Sequence, residues 1–245
     1  SGFQVSFMAP TEILAKQHFN LAKKLLPNNI KIELLSSKTD NKNKKIIIDN
    51  LKKGLTNLVI GTHSVFQKKI LYKKLGYIII DEQHKFGVRQ RKSLSDKGGD
   101  NCDVLLMSAT PIPRTLTMTI YGDMDVSIIK EKPNHRKEII TYSKLENKTN
   151  DVLKFINKEI NKGGQVFWVC PIIEESKKID HQSAVKKYEQ LNNFFPNNVR
   201  LLHGKTPMDE KEQILDDFQK NEFKILVSTT IIEVGIDFPN ANIII

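Results

Sequence analysis

Short apolar runs recur along the chain, separated by longer segments in which apolar residues are spaced three or four positions apart. The short runs are rich in β-branched residues, which is typical of strands buried in a parallel sheet. They predict strands at residues 4–9, 58–60, 75–80, 104–107, 165–170, 199–202, 223–227 and 243–245. Strands that alternate with amphipathic helices indicate an α/β fold with a doubly wound parallel sheet.

The segments between the strands carry signals for where helices begin and end. Thr11 follows Pro10 and is a natural N-cap for a helix that closes at Pro27. The positions expected to face the core in that helix are Leu14, His18, Leu21, Ala22 and Leu25. Further helices are predicted before Gly54, over 151–161, over about 182–195, and after Thr206, which would cap a helix with Pro207 at its first position.

A charged segment without periodicity, residues 131–137, divides the pattern into two halves. It contains a proline and no apolar run, so it is interpreted as an interdomain linker over residues 133–138. Residues 1–132 and 139–245 are then predicted to form two α/β domains in tandem.

The composition is that of a basic globular protein with enough hydrophobic residues for an ordinary core. Hydrophobic residues make up 39% of the 245, and 38 Lys and Arg residues against 28 Asp and Glu residues give a net charge of +10. Such an excess favours a polyanionic partner such as nucleic acid. The two cysteines, Cys102 and Cys170, show no metal-ligand spacing, and no apolar run is long enough to cross a membrane. With no signal peptide at the first residues, the sequence predicts a reducing, cytoplasmic location.

Polar clusters follow the predicted strands at the points where the strands end. In an open parallel sheet, ligands bind just beyond the carboxyl ends of the strands. A turn or a helix cap explains any one of these clusters. Their recurrence at the ends of successive strands indicates a functional site at that edge of the sheet. The clusters are Pro10–Glu12, Gly61–His63, Asp81–His84, Ser108–Thr110, His203–Gly204 and Thr229–Asp237.

The cluster with the clearest chemistry follows the apolar run Leu75–Ile80 and consists of Asp81, Glu82, Gln83 and His84. One carboxylate at a strand end can hold a water-coordinated Mg²⁺, and its neighbour can orient or deprotonate an attacking water. A strand followed by an ordinary polar turn is the simpler alternative. Which of the two applies depends on the other clusters.

The order and identity of these clusters resemble the motor of superfamily 2 helicases. Asp81–His84 resembles the Walker B box in its Asp-Glu-x-His form, and Ser108–Thr110 resembles the coupling motif that follows it. Longer strings are similar to the RecG family of branched-DNA helicases, at residues 86–91, 108–116, 121–127, 168–176 and 229–237. The bacterial transcription-repair coupling translocases share part of these strings. They more often have a second acidic residue at the position of Gln83 and lack the Pro-Ile-Ile-Glu-Glu-Ser string.

The resemblance implies two RecA-like domains, the cofactors ATP and Mg²⁺, and a role for each cluster. Asp81 would hold Mg²⁺ through water, and Glu82 would act on the hydrolytic water. Gln83 and His84, the other members of the catalytic set, would link the nucleotide state to the coupling motif Ser108, Ala109 and Thr110. Gly235 and Asp237 would lie at the nucleotide cleft. The residues implied to contact the DNA backbone are Pro10, Thr11, Glu12, Gly61, Thr62, His63, His203, Gly204, Thr229 and Thr230.

The implied partner is branched or forked DNA, bound through its backbone without sequence specificity by a monomer. No Gly-x-x-x-x-Gly-Lys-Ser/Thr loop occurs in the 245 residues. In this family the loop would precede Ser1, and the arginine-finger motif would follow Ile245. Both domains are therefore expected to be truncated, and this chain alone is expected to hydrolyse ATP only at background level.

Two other classes of function remain open at this point. A nucleic-acid-binding module without enzymatic activity would show salt-sensitive binding that is indifferent to sequence. A metal-dependent hydrolase could use Asp81, Glu82 and His84 with His63 or His203. Against the hydrolase, Asp-Glu-x-His alone supplies too few ligands for a transition-metal site.

Overall fold

The chain folds into two compact units, residues 1–133 and 134–245. The computed structural model describes residues 2–67, 69–82, 102–109, 125–131, 138–145, 148–170, 177–229 and 238–245. Each unit contains a parallel β-sheet, and the two are described separately. Residues 132–137 lie outside the described residues, so the bounds of the linker stay a prediction.

The described part of the first unit is built on five parallel strands. In chain order they are β1 (Gln4–Met8), β2 (Ile32–Leu35), β3 (Leu58–Gly61), β4 (Leu75–Ile80) and β5 (Asp103–Leu106). Their order across the sheet is β2-β3-β1-β4-β5. The interior strands β3 and β4 are apolar runs because both faces of a parallel sheet are normally covered.

In the described part of this unit the connections include α1 (Glu12–Leu25), α2 (Asn41–Lys53) and a short 3-10 helix (His63–Phe66). Thr11 caps α1 as predicted, because its hydroxyl oxygen accepts a hydrogen bond from the Leu14 N–H at 3.3 Å. Asp40 caps α2 in the same way and accepts from the Asn43 N–H at 2.9 Å. Gly54 ends α2 in a left-handed conformation with a φ of 76°.

The described part of the second unit has the same topology as the first. Its elements are α3 (Thr149–Ile160), β6 (Gln165–Val169), α4 (Lys177–Phe194), β7 (Val199–Leu202), α5 (Met208–Gln219), β8 (Ile225–Ser228) and β9 (Ala241–Ile244). The strands are parallel in the order β7-β8-β6-β9, which repeats the order β2-β3-β1-β4 of the first sheet. Helices α4 and α5 occupy the places that α1 and α2 occupy in the first unit.

Some predicted element bounds are wrong. The sequence pattern does not predict β2, a four-residue edge strand whose residues are mostly half-buried. Helix α4 begins at Lys177 rather than near residue 182. Helix α5 begins at Met208, and Pro207 occupies the cap position without a side-chain hydrogen bond, so the predicted cap by Thr206 is wrong.

The predicted core face of α1 is also partly wrong. Leu14 is buried as expected, and Ala15 is the other buried residue of the helix. Leu21 and Leu25 are 52% and 70% exposed, because only the first half of α1 packs closely against the strands. Apolar spacing therefore marks the helix correctly but overstates how much of it is buried.

Each unit has its own cluster of buried apolar side chains. In the first unit the cluster joins the strands to α2 and includes Met8, Leu35, Leu51, Val59 and Ile78. In the second it joins the strands to α3 and α4 and includes Ile156, Val166, Leu191, Val199 and Ile225. Among the described helices, none is long and apolar enough to cross a membrane.

Each sheet also contains a buried glutamine at the start of an interior strand, Gln4 in β1 and Gln165 in β6. Their exposed fractions are 2% and 1%. The Gln165 Nε2 atom donates to the carbonyl oxygens of Phe218 at 2.7 Å and Phe223 at 2.9 Å, on either side of the turn between α5 and β8. Gln4 binds two carbonyl oxygens around the turn between α2 and β3 in the same way, at 3.0 and 2.9 Å.

Replacing Gln165 with leucine is expected to lower the free energy of unfolding of the second unit by about 1–3 kcal/mol, because the buried carbonyl oxygen of Phe223 loses the amide donor and that of Phe218 keeps only a backbone donor. Trp168 is the only tryptophan in the chain and lies on the same strand, so its fluorescence during urea unfolding reports on this unit. Gln213→Leu, at an exposed position of α5, is the matched control and should change stability by less than about 0.5 kcal/mol. Equal stabilities of the two variants would contradict the role of Gln165.

Candidate functional site

Four of the predicted clusters lie side by side at the carboxyl edge of the first sheet. The Ala9 N–H donates to the carbonyl oxygen of Gly61 at 2.9 Å, and the Asp81 N–H donates to that of Met8 at 2.9 Å. These bonds continue the sheet ladder beyond the ends of β3, β1 and β4, so the residues that follow these strands are neighbours. The neighbouring segments are Pro10–Glu12, Gly61–His63, Asp81–Glu82 and Ser108–Ala109.

The Asp81 carboxylate is fixed by a hydrogen bond to each of its oxygens. The Oδ2 atom lies 2.9 Å from Nε2 of His18 on α1. The Oδ1 atom accepts the backbone N–H of Glu82 at 2.9 Å. The side chains of His18 and Asp81 are 25% and 19% exposed, so the pair is mostly buried but still accessible to water.

The backbone turns sharply at Glu82, whose φ is 48°. A residue with a side chain in this left-handed region costs about 1–3 kcal/mol, and such strain is concentrated at functional sites. The turn follows Asp81 directly, so both carboxylates stay at the edge of the sheet. Gln83 and His84 come next and lie outside the described residues.

The first turn of α1 contacts the loop that follows β2. Glu12 Oε1 accepts a hydrogen bond from the Ser37 backbone N–H at 2.9 Å and another from the Ser37 hydroxyl. The Ser36 N–H donates to Thr39 Oγ1 at 3.0 Å, which closes this loop on itself. The loop therefore joins the same edge as Pro10–Glu12. The sequence pattern does not predict that this loop reaches the edge, because it does not predict β2, the strand that precedes the loop.

Gly61 is required by close packing at the end of β3. A Cβ atom at this position would overlap the carbonyl oxygen of Leu35 and come within 2.7 Å of Cγ1 of Val65. The same Leu35 oxygen accepts a hydrogen bond from the Ser64 hydroxyl at 2.8 Å. The Thr62 hydroxyl lies 3.4 Å from Ser64 Oγ, and the His63 side chain is exposed. Gly61 is thus required by the fold, and Thr62 and His63 follow it at the edge of the sheet.

The predicted coupling motif follows β5, the strand next to β4. The Met107 N–H donates to the carbonyl oxygen of Ile80 at 2.8 Å, which holds the start of the motif beside Asp81. Ser108 is half-buried and Ala109 is exposed. Thr110 lies outside the described residues.

In the second unit His203 follows β7 and is held by Thr206. The Thr206 Oγ1 atom accepts the His203 backbone N–H at 3.2 Å and lies 3.1 Å from His203 Nδ1, which sets the orientation of the ring. These two residues line a groove of about 410 Å³ between β7, α4 and α5, with polar contributions from Tyr188, Arg200 and Glu210.

Thr229 lies next to the His203–Gly204 segment, because its backbone N–H donates to the carbonyl oxygen of Leu202 at 3.4 Å. The hydroxyls of Ser228 and Thr229 are buried and have no hydrogen-bond partner among the described residues. Buried hydroxyls of this kind are usually satisfied by water or a ligand. Thr230, Gly235 and Asp237 lie outside the described residues.

The donor set around Asp81 suits Mg²⁺. This ion prefers oxygen ligands, keeps several of its waters and is usually bound through one or two carboxylates together with substrate phosphates. Among the described residues, no group of three or more His, Cys, Asp or Glu side chains is placed to hold a metal ion. Asp81, with Glu82 beside it, fits a cation held through water.

The contact of His18 with Asp81 is the part of this site that sequence reasoning misses. The apolar spacing places His18 on the face of α1 that packs on the sheet, and the structure brings its Nε2 atom to the Asp81 carboxylate as well. A histidine among apolar residues on a helix face needs a polar partner, and that requirement is the signal that could identify it.

Two family models match the chain. The model of the DEAD/DEAH box helicase family matches residues 1–119, and that of the helicase conserved C-terminal domain matches residues 147–245. Each match corresponds to one of the two units. The edge that carries Asp81 lies in the first, and the His203 and Thr229 segments lie in the second.

Among curated proteins, the chain is similar over its whole length to ATP-dependent DNA helicases RecG. It is 47% identical to that of Streptococcus pneumoniae over 247 residues, and 45% identical to that of Bacillus subtilis over 248 residues. In both cases all of this chain is matched, but only 36% of the relative. The chain thus spans about a third of the length of these relatives.

Among solved structures, the chain is similar to RecG bound to a three-way DNA junction. The TM-score is 0.78 at 40% identity, and the match covers 99% of this chain and 31% of that protein. It also matches Saccharomyces cerevisiae Dbp5 bound to RNA and ADP BeF3, with a TM-score of 0.71 at 20% identity, covering 99% of this chain and 61% of Dbp5. The match to Dbp5 concerns the fold alone. Together the structures bear out the predicted pair of RecA-like parallel-sheet domains.

Proposed function

Because this chain belongs to the RecG family of DEAD/DEAH box helicases, we propose that it forms part of an ATP-driven motor that remodels branched DNA in recombination and repair. The observation that carries the proposal is the meeting of four clusters at one sheet edge. Asp81 and Glu82 lie beside the Ser108–Ala109 motif, and Pro10–Glu12 and Gly61–His63 follow the two adjoining strands. An edge of this kind can bind a nucleotide and a nucleic acid with neighbouring segments.

The nucleotide half of the proposal rests on Asp81 and Glu82. Asp81 would hold Mg²⁺ through water, and its bonded, oriented carboxylate is suited to that contact. Bound Mg²⁺ and ATP would supply the phosphoryl group and the charge that neutralises it during transfer. Glu82 would accept a proton from, or orient, the attacking water. The motif Ser108, Ala109 and Thr110 would couple this step to the second unit. Gln83 and His84 would link the state of the nucleotide to that motif.

The nucleic-acid half of the proposal rests on small polar groups and backbone N–H groups. Thr11 and Glu12 open α1, and a helix N-terminus favours phosphate oxygens. Thr62 and His63 open the neighbouring 3-10 helix. In the second unit His203, Gly204, Thr229 and Thr230 would make equivalent contacts. Contacts to phosphate and sugar fix the position of a protein on DNA without reading the bases, so we propose that the chain binds DNA without sequence specificity. We also propose that it acts as a monomer in the cytoplasm.

A chimeric protein tests the proposal. In full-length Bacillus subtilis RecG, this chain would replace the segment that it matches, and the product is called the RecG chimera below. The RecG chimera is expected to hydrolyse ATP in response to a three-way DNA junction and to unwind that junction. A chimera that melts like the unmodified relative but shows no junction-stimulated hydrolysis would contradict the proposal.

The chain by itself is expected to hydrolyse ATP only at background level. Its 245 residues contain no Gly-x-x-x-x-Gly-Lys-Ser/Thr loop, so the backbone N–H groups and lysine that cradle the triphosphate are not supplied. Phosphate release would be measured with and without forked DNA, with the RecG chimera as the positive control. Hydrolysis by the isolated chain that rises on addition of forked DNA would refute this expectation.

A further inference from the structure

We propose that His18 is a positioning residue for Asp81, and that its hydrogen bond sets the carboxylate in the orientation that a hydrated divalent cation requires. The proposal rests on the function proposed above and names a residue to which the sequence assigns no functional role. His18 lies 63 positions from Asp81 in the sequence, and only the fold brings them together.

The chemistry of the contact fixes its direction. An ionised carboxylate only accepts hydrogen bonds, so Nε2 of His18 must donate to Oδ2 of Asp81 at 2.9 Å. The neutral Nε2–H tautomer and the imidazolium both provide this donor. The bond therefore needs no change of protonation in order to form.

The bond from His18 leaves room for a cation. The Glu82 N–H occupies one lone pair of Oδ1 and His18 occupies one of Oδ2. A carboxylate offers about four lone-pair sites, so about two remain for waters of a bound ion. With one donor on each oxygen, rotation of the carboxylate is prevented while its free lone pairs keep a fixed direction.

The imidazole ring is itself held in place. It contacts the ring of Phe7 on β1, with 4.5 Å between ring centroids and 40° between ring planes. Phe7 is paired in register with Ile79 of β4, so the ring rests on the strand beside the one that carries Asp81. His18 thus joins α1 and β1 to the carboxylate. Outer partners that orient metal-binding groups in this way change metal affinity or activity by about 10–100-fold when they are removed.

Two substitutions in the RecG chimera separate the hydrogen bond from the packing of the ring. His18→Phe keeps a ring against Phe7 and removes the N–H donor. His18→Gln removes the ring and can place an amide N–H close to the position of Nε2. Asn20→Leu, at an exposed position of the same helix, is the control. Thermal melting of all three shows whether each variant is folded.

The first readout does not depend on catalysis. Binding of Mn²⁺ in the presence of ADP would be measured by electron paramagnetic resonance, with Mn²⁺ as the probe for Mg²⁺. His18→Phe is expected to weaken Mn²⁺ binding about 10–100-fold, and His18→Gln to stay within about threefold of the unsubstituted chimera. The Mg²⁺ concentration that gives half-maximal ATP hydrolysis should rise more in the His18→Phe variant than in the His18→Gln variant. Asn20→Leu should change neither.

Three results would overturn the proposal. Unchanged or tighter Mn²⁺ binding in a folded His18→Phe variant would show that the donor does not position the carboxylate. A loss in a folded His18→Gln variant that is as large as the loss in His18→Phe would show that an N–H donor at this position does not restore the binding of Mn²⁺. If the unsubstituted chimera binds Mn²⁺ and ADP no better than an Asp81→Asn chimera, the proposed function fails at Asp81, and the role of His18 fails with it.

Discussion

Replacing Glu82 with glutamine in the RecG chimera is expected to lower kcat for ATP hydrolysis by ~10²–10⁴-fold, the usual contribution of a positioned general base. Glutamine keeps the length and shape of the side chain but cannot accept a proton from water. It also tolerates the left-handed backbone at this position no worse than glutamate does, because the strain belongs to the backbone. We therefore expect the variant to fold and to bind nucleotide normally.

The measurement is steady-state hydrolysis of ATP with a saturating three-way junction, together with direct binding of ADP. Glu33→Gln is the control, since it neutralises a carboxylate of the same unit that pairs with Lys31 at 3.8 Å and lies on β2. It should change kcat by less than about twofold, as expected for a loosely paired surface ion. A Glu82→Gln chimera that retains more than a tenth of the activity would remove Glu82 from the catalytic step.

The second large effect is expected in DNA binding by the chain itself. If about four phosphates are contacted, the logarithm of the binding constant for duplex DNA should fall with the logarithm of salt with a slope of about −3 to −4. Raising NaCl from 50 to 200 mM should then weaken binding roughly 60- to 260-fold. The physical reason is the release of counterions from phosphates, which a chain of net charge +10 can replace.

Fluorescence anisotropy with two duplexes of equal length and unrelated sequence would measure this slope. The two duplexes should bind within about threefold of each other, because backbone contacts carry no base information. A peptide nucleic acid of the same sequence, which has no phosphates, is the matched control and should not bind measurably. Affinity that does not change over this range of salt would exclude a phosphate-based interface.

Most of the fold can be predicted from apolar runs, and the exceptions have physical causes. Strands such as β4 are predicted because six consecutive residues are buried or half-buried, and such burial leaves a continuous apolar run. β2 is not predicted because it is short and lies at the edge of the sheet, where burial is incomplete. The cap of α5 is mispredicted because Pro207 occupies the cap position and Thr206 bonds to His203.

The candidate site divides in a similar way. Asp81, Glu82 and the neighbouring clusters can be predicted because their residue types recur at strand ends and in a fixed order along the chain. The contact of His18 with Asp81 and that of Glu12 with Ser37 cannot be predicted, since each joins residues from separate elements. The roles proposed for Gln83, His84, Thr110, Gly235 and Asp237 stay predictions, because these residues lie outside the described residues.

The sequence by itself determined the fold class, the resemblance to a helicase motor and the position of the Asp81–Glu82 pair. Each of these depends only on local patterns of residue type. The tertiary structure alone decided the order β2-β3-β1-β4-β5 and therefore which clusters are neighbours. It also decided that Gly61 must lack a side chain and that Gln4 and Gln165 must each bind two carbonyl oxygens. Such requirements arise only when distant segments pack together, since the atoms that impose them lie far away in the chain.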